Sequence, residues 1–268
     1  MVDRAQHTVT MAEAVVLVVM LAVVPAETNY CKSSDVLPAG RHWEESGISS
    51  PLILDLEGCT ILWLNSNSIG ISGAVVVAEA LKGNTVITRL SLHDNNIEDG
   101  GAAAIADALK NNTVLQYLSL HTNNIGDGGA LALAEALKDN PAVETLTLYK
   151  NNIGDGGAGA IAKGLKGNTA LTRLSLHDNK IEDGGAAGIA DALKCNTTVL
   201  QYLSLHTNNI GDGGAIAFAD ALKINNVLKK LHLDFNRIGD GGAAAIVKAL
   251  EINTAVKVHF GGRRGQQN

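Results

Sequence analysis

The sequence predicts an α/β solenoid, a right-handed horseshoe with a parallel β-sheet on its concave face and α-helices on its convex face. Three observations predict it. An eleven-residue phrase, L-x-x-L-x-L-x-x-N-x-I, recurs with its central leucine at Leu62, Leu90, Leu118, Leu146, Leu174, Leu203 and Leu231. The steps are 28 residues, except for one of 29 between Leu174 and Leu203, where Cys195-Asn196-Thr197-Thr198 holds an extra Thr. An Ala-rich stretch of helical character follows each phrase. A fixed period of this length marks a supersecondary unit that cannot bury its apolar face alone and must stack on its neighbours.

Each element of a repeat has a physical reason. Leu118-Ser119-Leu120 alternates apolar and polar, the pattern of a strand with one buried face. Asn123 follows where the chain leaves the sheet, and Asn67, Asn95, Asn151, Asn179, Asn208 and Asn236 are its equivalents. An amide repeated there is expected to bond backbone groups of its own and neighbouring coils. Asp127 in Ile125-Gly126-Asp127-Gly128-Gly129 reads as a helix N-cap, as do Asp99, Asp155, Asp183, Asp212 and Asp240. Calcium is not expected, because its loops crowd several oxygen ligands into one turn and each coil offers one carboxylate. The Ala-rich helix allows close stacking, and Lys138 and Asn140 suit its C-terminal end.

Residues 54–260 form the repeat domain, with a short tail at 261–268. The run 14–24 is apolar, and Val24-Pro25-Ala26 follows it. Residues 1–26 therefore read as a cleaved signal peptide or as a hydrophobic cap over the end of the solenoid. Residues 27–53 show no repeat and carry Pro38, Gly40, Gly47 and Pro51, so they read as irregular. Leu54-Asp55-Leu56-Glu57-Gly58-Cys59-Thr60-Ile61 matches part of the phrase directly before Leu62, which predicts a first coil shortened by deletion. Cys31, Cys59 and Cys195 are odd in number and widely spaced, with neither zinc-ligand spacing nor the clustered disulfide caps of extracellular repeat proteins. The sequons Asn111-Asn112-Thr113 and Asn196-Thr197-Thr198 matter only if the chain is secreted.

Formal net charge is −6 with a pI of about 5.7 and no long basic run, so nucleic-acid binding is unsupported. A second periodicity overlies the first. Residues 89–137 and 173–222 are nearly the same text, so the exposed face is expected to repeat its chemistry.

The phrases L-x-x-L-x-L-x-x-N-x-I-G-D-G-G-A and A-x-A-L-K-x-N resemble leucine-rich repeats of the ribonuclease-inhibitor class, including those of NOD-like receptors. The resemblance covers residues 54–260. It implies an intracellular protein-binding scaffold, without enzyme activity and without a cofactor. The sequence has no P-loop domain, death-fold or caspase-recruitment domain or kinase motif, so it is not a complete NOD-like receptor. The Ran GTPase-activating protein has similar repeats, but its activating residues cannot be placed on this chain.

Strand residues alternating with the core leucines face the concave side. The candidate partner-binding residues are Trp63, Arg89, His93, Asp94, Tyr117, His121, Tyr149, Lys150, Arg173, His177, Asp178, Tyr202, His206, His232, Asp234 and Phe235. Tyr, Trp and Arg dominate anchoring at protein interfaces. A metal site is not expected, because neighbouring imidazoles lack the further ligands of a closed site. His93 beside Asp94 and His177 beside Asp178 lack the nucleophile and enclosing pocket of acid–base catalysis. The expected function is recognition of a protein partner through the concave sheet, with no small-molecule substrate and no membrane span. The alternatives are an enzyme regulator of the inhibitor or GTPase-activating type, and a secreted receptor for glycans or peptides. The expected compartment is the cytoplasm, or outside the cell if residues 1–26 are cleaved.

Overall fold

The computed structural model describes residues 30–32, 59–195 and 198–261. Nine three-residue strands lie among them: β1 (Tyr30–Lys32), β2 (Ile61–Trp63), β3 (Arg89–Ser91), β4 (Tyr117–Ser119), β5 (Thr145–Thr147), β6 (Arg173–Ser175), β7 (Tyr202–Ser204), β8 (Lys230–His232) and β9 (Lys257–His259). Seven helices alternate with β2–β9: α1 (Gly70–Lys82), α2 (Glu98–Leu109), α3 (Asp127–Asp139), α4 (Asp155–Gly167), α5 (Asp183–Leu193), α6 (Asp212–Leu222) and α7 (Asp240–Ile252). The strands form one parallel sheet in sequence order. The repeat period is therefore one rung: Leu62, Leu90, Leu118, Leu146, Leu174, Leu203 and Leu231 are mutual register partners. They are buried between sheet and helices, and each helix packs on the helices before and after it. The architecture is the expected solenoid, with the parallel sheet concave and the helices convex.

Two asparagine ladders hold successive coils together. The Asn123 amide donates to the Leu92 carbonyl of the preceding coil at 2.9 Å and to its own coil's Leu120 carbonyl at 3.1 Å. Its Oδ1 accepts from the backbone N–H groups of Asn95 and Ile97 at 2.9 and 3.3 Å. The second ladder lies where helices end. Asn140 donates to the carbonyls of Leu109 and Asn112, at 2.7 and 2.8 Å, and accepts from the N–H groups of Ala142 and Val143. Asn112, Asn168 and Asn225 are its buried equivalents. These amides satisfy backbone groups where water is excluded.

The aspartates do not cap their own helices. In α3 the N-cap is Gly126, in extended conformation, and Asp127 is the first helical residue. The Asp127 carboxylate instead accepts from the N–H of Gly154 at the start of the next helix, at 2.7 Å. Asp99, Asp155, Asp183 and Asp212 do the same for Gly126, Glu182, Gly211 and Gly239. The reach across coils explains the paired glycines. A Cβ on Gly156 would lie 2.7 Å from Asp127 Oδ2, and one on Gly157 would lie 2.9 Å from Ala130 Cβ.

The N-terminal end also corrects the sequence reading. Tyr30–Lys32, inside the stretch expected to be irregular, is a strand whose Cys31 pairs in register with Leu62. Cys59 takes the place that Ile87 and Leu115 hold in later coils, and Cys31 and Cys59 form a disulfide. Both cysteines are buried in core positions. The rung before β2 is thus β1, and the phrase reading from Leu54 to Gly58 lies outside the described residues. A one-coil staple exists where no disulfide was expected, and it leaves Cys195 unpaired. The signal or cap reading of residues 1–26 and most of the tail lie outside the described residues.

Candidate functional site

The concave face is built in columns, because every rung repeats the same backbone path. Leu90 and Leu92 point into the core, so Arg89, Ser91 and His93 point out. The first column reads Arg89, Tyr117, Thr145, Arg173, Tyr202, Lys230 and Lys257. Its members interact across rungs. The Arg89 guanidinium lies 4.5 Å from the Tyr117 ring centre, and Arg173 lies 4.3 Å from that of Tyr202. The second column is mostly Ser and Thr; Ser91, Ser119 and Ser204 are buried. Trp63 and His232 fall in this column rather than with the histidines.

The third column is an aromatic stack. His93, His121, Tyr149, His177 and His206 lie nearly parallel, with successive ring centres 4.2, 3.9, 4.2 and 4.1 Å apart. Strands repeat at about 4.8 Å, so planar rings on adjacent rungs can lie face to face with slight tilting. Asp234 follows His206 in this column, and the Thr207 N–H donates to its carbonyl. A further ring pair, His232 with His259, stacks at 4.5 Å.

The turn after the stack is left-handed at every coil. Asp94, Thr122, Lys150, Asp178, Thr207 and Phe235 have φ between 54° and 59° or, at Lys150, 53°. Their N–H groups still bond the next coil, as in Thr122 to the Tyr149 carbonyl at 3.1 Å. The conformation seats Asp94, Lys150, Asp178 and Phe235 at the border of the sheet, beside the asparagine ladder and outside the ring stack.

Burial keeps the stack neutral. Desolvation pushes His121 and His177 down to about 4, with the charges of neighbouring histidines and of Lys150 acting in the same direction. His177 Nδ1 has no hydrogen-bond partner, so a proton there would be buried without an acceptor. Desolvation also lowers His93, opposed by Asp94, and His206, opposed by Asp234 and Asp178. His232 is lowered by burial, then by His259 and Lys230, despite Asp234 at 3.5 Å. Tyr149 is raised by burial. A neutral ring surface has little solvation to lose when another surface covers it. No group of three or more His, Cys, Asp or Glu side chains among the described residues is arranged to hold a metal ion.

Comparison with known proteins decides the family. The TMOD/LMOD leucine-rich domain model matches residues 60–183, and a leucine-rich-repeat model matches 196–219 and 225–247. This chain is a leucine-rich-repeat protein. Among solved structures, this repeat protein is similar to leiomodin-1 actin-binding site 2, at 28% identity over 56% of this chain and 87% of that one, with a TM-score of 0.46. No curated protein matches it. No helix among the described residues of this repeat protein is long and apolar enough to cross a membrane.

Of the sequence-predicted site residues, the structure joins four of the five histidines and Tyr149 in one stack, leaves His232 in the second column, and joins Arg89 and Arg173 with their tyrosines. Trp63 stands apart at the N-terminal end, and Phe235 stands apart at the turn. His259 was missed for a physical reason. Leu231 pairs with Val258, a step of 27, so a 28-residue count places His259 in the core. The second asparagine ladder was visible as the last letter of A-x-A-L-K-x-N, where it read only as a helix end.

Proposed function

We propose that this chain is a non-catalytic scaffold that docks a protein partner on the concave sheet. The neutral aromatic stack, flanked by two Arg–Tyr pairs, carries the reading. Interface energy concentrates in Tyr, Trp and Arg anchors on preformed surfaces, where little side-chain freedom is lost on binding. The rungs supply that preorganisation, because each ring is already held by its neighbours.

The test is quantitative affinity capture with the wild type, with Tyr117→Ser/Tyr149→Ser/Tyr202→Ser on the concave face, and with Leu131→Ser/Ile216→Ser on exposed helix positions. Partners recovered by the wild type and the helix variant but lost with the concave variant are the expected result. Equal recovery by all three proteins would defeat the reading. Purified actin belongs among the probes because the leiomodin segment is named for binding it, and the reading does not depend on its capture.

The repeat resemblance favours the cytoplasm, but one observation favours the secreted alternative. The Cys31–Cys59 disulfide belongs to an oxidising compartment. Expression through a secretory pathway followed by N-terminal sequencing tests this. A mature chain beginning at Glu27 supports it, and an uncleaved, retained chain with reduced cysteines opposes it.

A further inference from the structure

The first concave column holds two copies of one constellation. Arg89 lies over Tyr117, and three rungs along Arg173 lies over Tyr202. Both guanidinium groups are exposed, and neither forms an ion pair among the described residues. Lys230 and Lys257 continue the column, and no acidic residue interrupts it. The carboxylates of these rungs, Asp94 and Asp178, sit at the opposite border of the sheet. The concave face is therefore polarised across its width, its first column cationic and its far border mixed, although the exposed Glu144 precedes Thr145 on the first column's side.

Spacing defines what would fit. Three rungs span about 14 Å. An extended chain advances about 3.4 Å per residue and returns to the same side every second residue, so positions i and i+4 also lie about 14 Å apart on one face. A helix fails this test: nine residues are needed to advance about 14 Å, and they end on the opposite face. A guanidinium held over a ring keeps its outer N–H groups free for a carboxylate.

We propose that Arg89–Tyr117 and Arg173–Tyr202 are two equivalent carboxylate-binding subsites that together take an extended acidic segment of a partner, with acidic side chains at i and i+4. This rests on the concave-docking reading above and adds the chemistry of the partner. A broad polyanion such as nucleic acid is disfavoured, because Asp94 and Asp178 border the same rungs and the chain carries a net charge of −6.

The experiment is fluorescence anisotropy of labelled synthetic peptides against the full chain. The probes are an extended peptide with Glu at i and i+4, the same composition with Glu at i and i+3, and a single-Glu peptide. The proteins are wild type, Arg89→Ala, Arg173→Ala and the double variant. The i, i+4 peptide should bind at least about tenfold tighter than either control, since the second contact becomes intramolecular. Each single variant should reduce it to the single-Glu level, and the double variant should abolish binding. Arg89→Lys/Arg173→Lys, which keeps both charges, should bind between wild type and the double alanine variant, and thermal melts of all variants show whether each is folded. Equal affinity for the two spacings, no binding of any peptide, or unchanged binding by the double variant would overturn the proposal. So would a single-stranded oligonucleotide that binds more tightly than the matched peptide. If the peptides fail while partner capture is still lost with the Tyr117/Tyr149/Tyr202 variant, concave docking stands and the acidic segment does not.

Discussion

Two glycines in one helix illustrate how much of this chain is decided at the residue scale. Gly156 faces the carboxylate of the preceding coil, whereas a Cβ on Gly159 would meet nothing within 4 Å. Gly159→Ala should raise stability by about 0.5–1 kcal/mol through helix propensity. Gly156→Ala should lower it, because an added Cβ would lie 2.7 Å from Asp127 Oδ2 and displacing that carboxylate costs its hydrogen bond from the Gly154 N–H. Thermal or denaturant unfolding of the two variants should show opposite signs. Asn151 bridges two coils and is buried, so Asn151→Ala should cost about 1–3 kcal/mol, and the neighbouring exposed Asn152→Ala should be close to neutral. Thr122 holds φ at 58°, a conformation that β-branched residues resist, and Thr122→Asn should stabilise by about 1 kcal/mol. The asparagine ladder was legible in the sequence because its role follows from its period and chemistry. The aspartates were legible as helix-start residues but not in their target, because a carboxylate that skips to the next coil looks the same in sequence as one that caps its own helix.

Among the elements, the ring stack gives the solenoid its response to pH. His121 and His177 have folded values of about 4, below the unfolded value near 6.5. The folded state therefore binds fewer protons than the unfolded one between those limits. Stability from these groups is full above about pH 6.5 and falls as pH drops towards 4. Denaturant unfolding at pH 7.5, 5.5 and 4.0 should show this decline, and His121→Phe/His177→Phe should flatten it. A stability that rises on acidification would contradict the burial argument. Any effect of histidine charge on partner binding is moved by the same argument below the ordinary imidazole range, where the sequence alone would place it. The sequence showed the column of histidines but not the stack, which depends on rung spacing and ring orientation. The disulfide acts at one end only. In a solenoid, stability is passed between neighbouring coils. Cys31→Ser/Cys59→Ser should accelerate hydrogen exchange in β2 and α1 while leaving β5 and β6 unchanged.

For the whole molecule, the 28-residue period makes the sheet order, parallel pairing and core leucines legible in the sequence. It failed where the coil length changes: a 31-residue offset joins β1 to β2, and a 27-residue offset joins β8 to β9. The concave face was legible as residue types, since alternation decides which side chains leave the core. Its division into a cationic column, a hydroxyl column and a ring stack required the rungs to be seen side by side. The central claim is that this face, rather than the helices, meets the partner. Hydrogen–deuterium exchange of the full chain, with and without a partner recovered by affinity capture, tests it most directly. Protection is predicted in the strands and following turns from β3 to β8, strongest between His93 and His206, with α1–α7 unchanged on their outer faces. Protection confined to the helices, with the strand segments exchanging as in the free protein, would contradict the account.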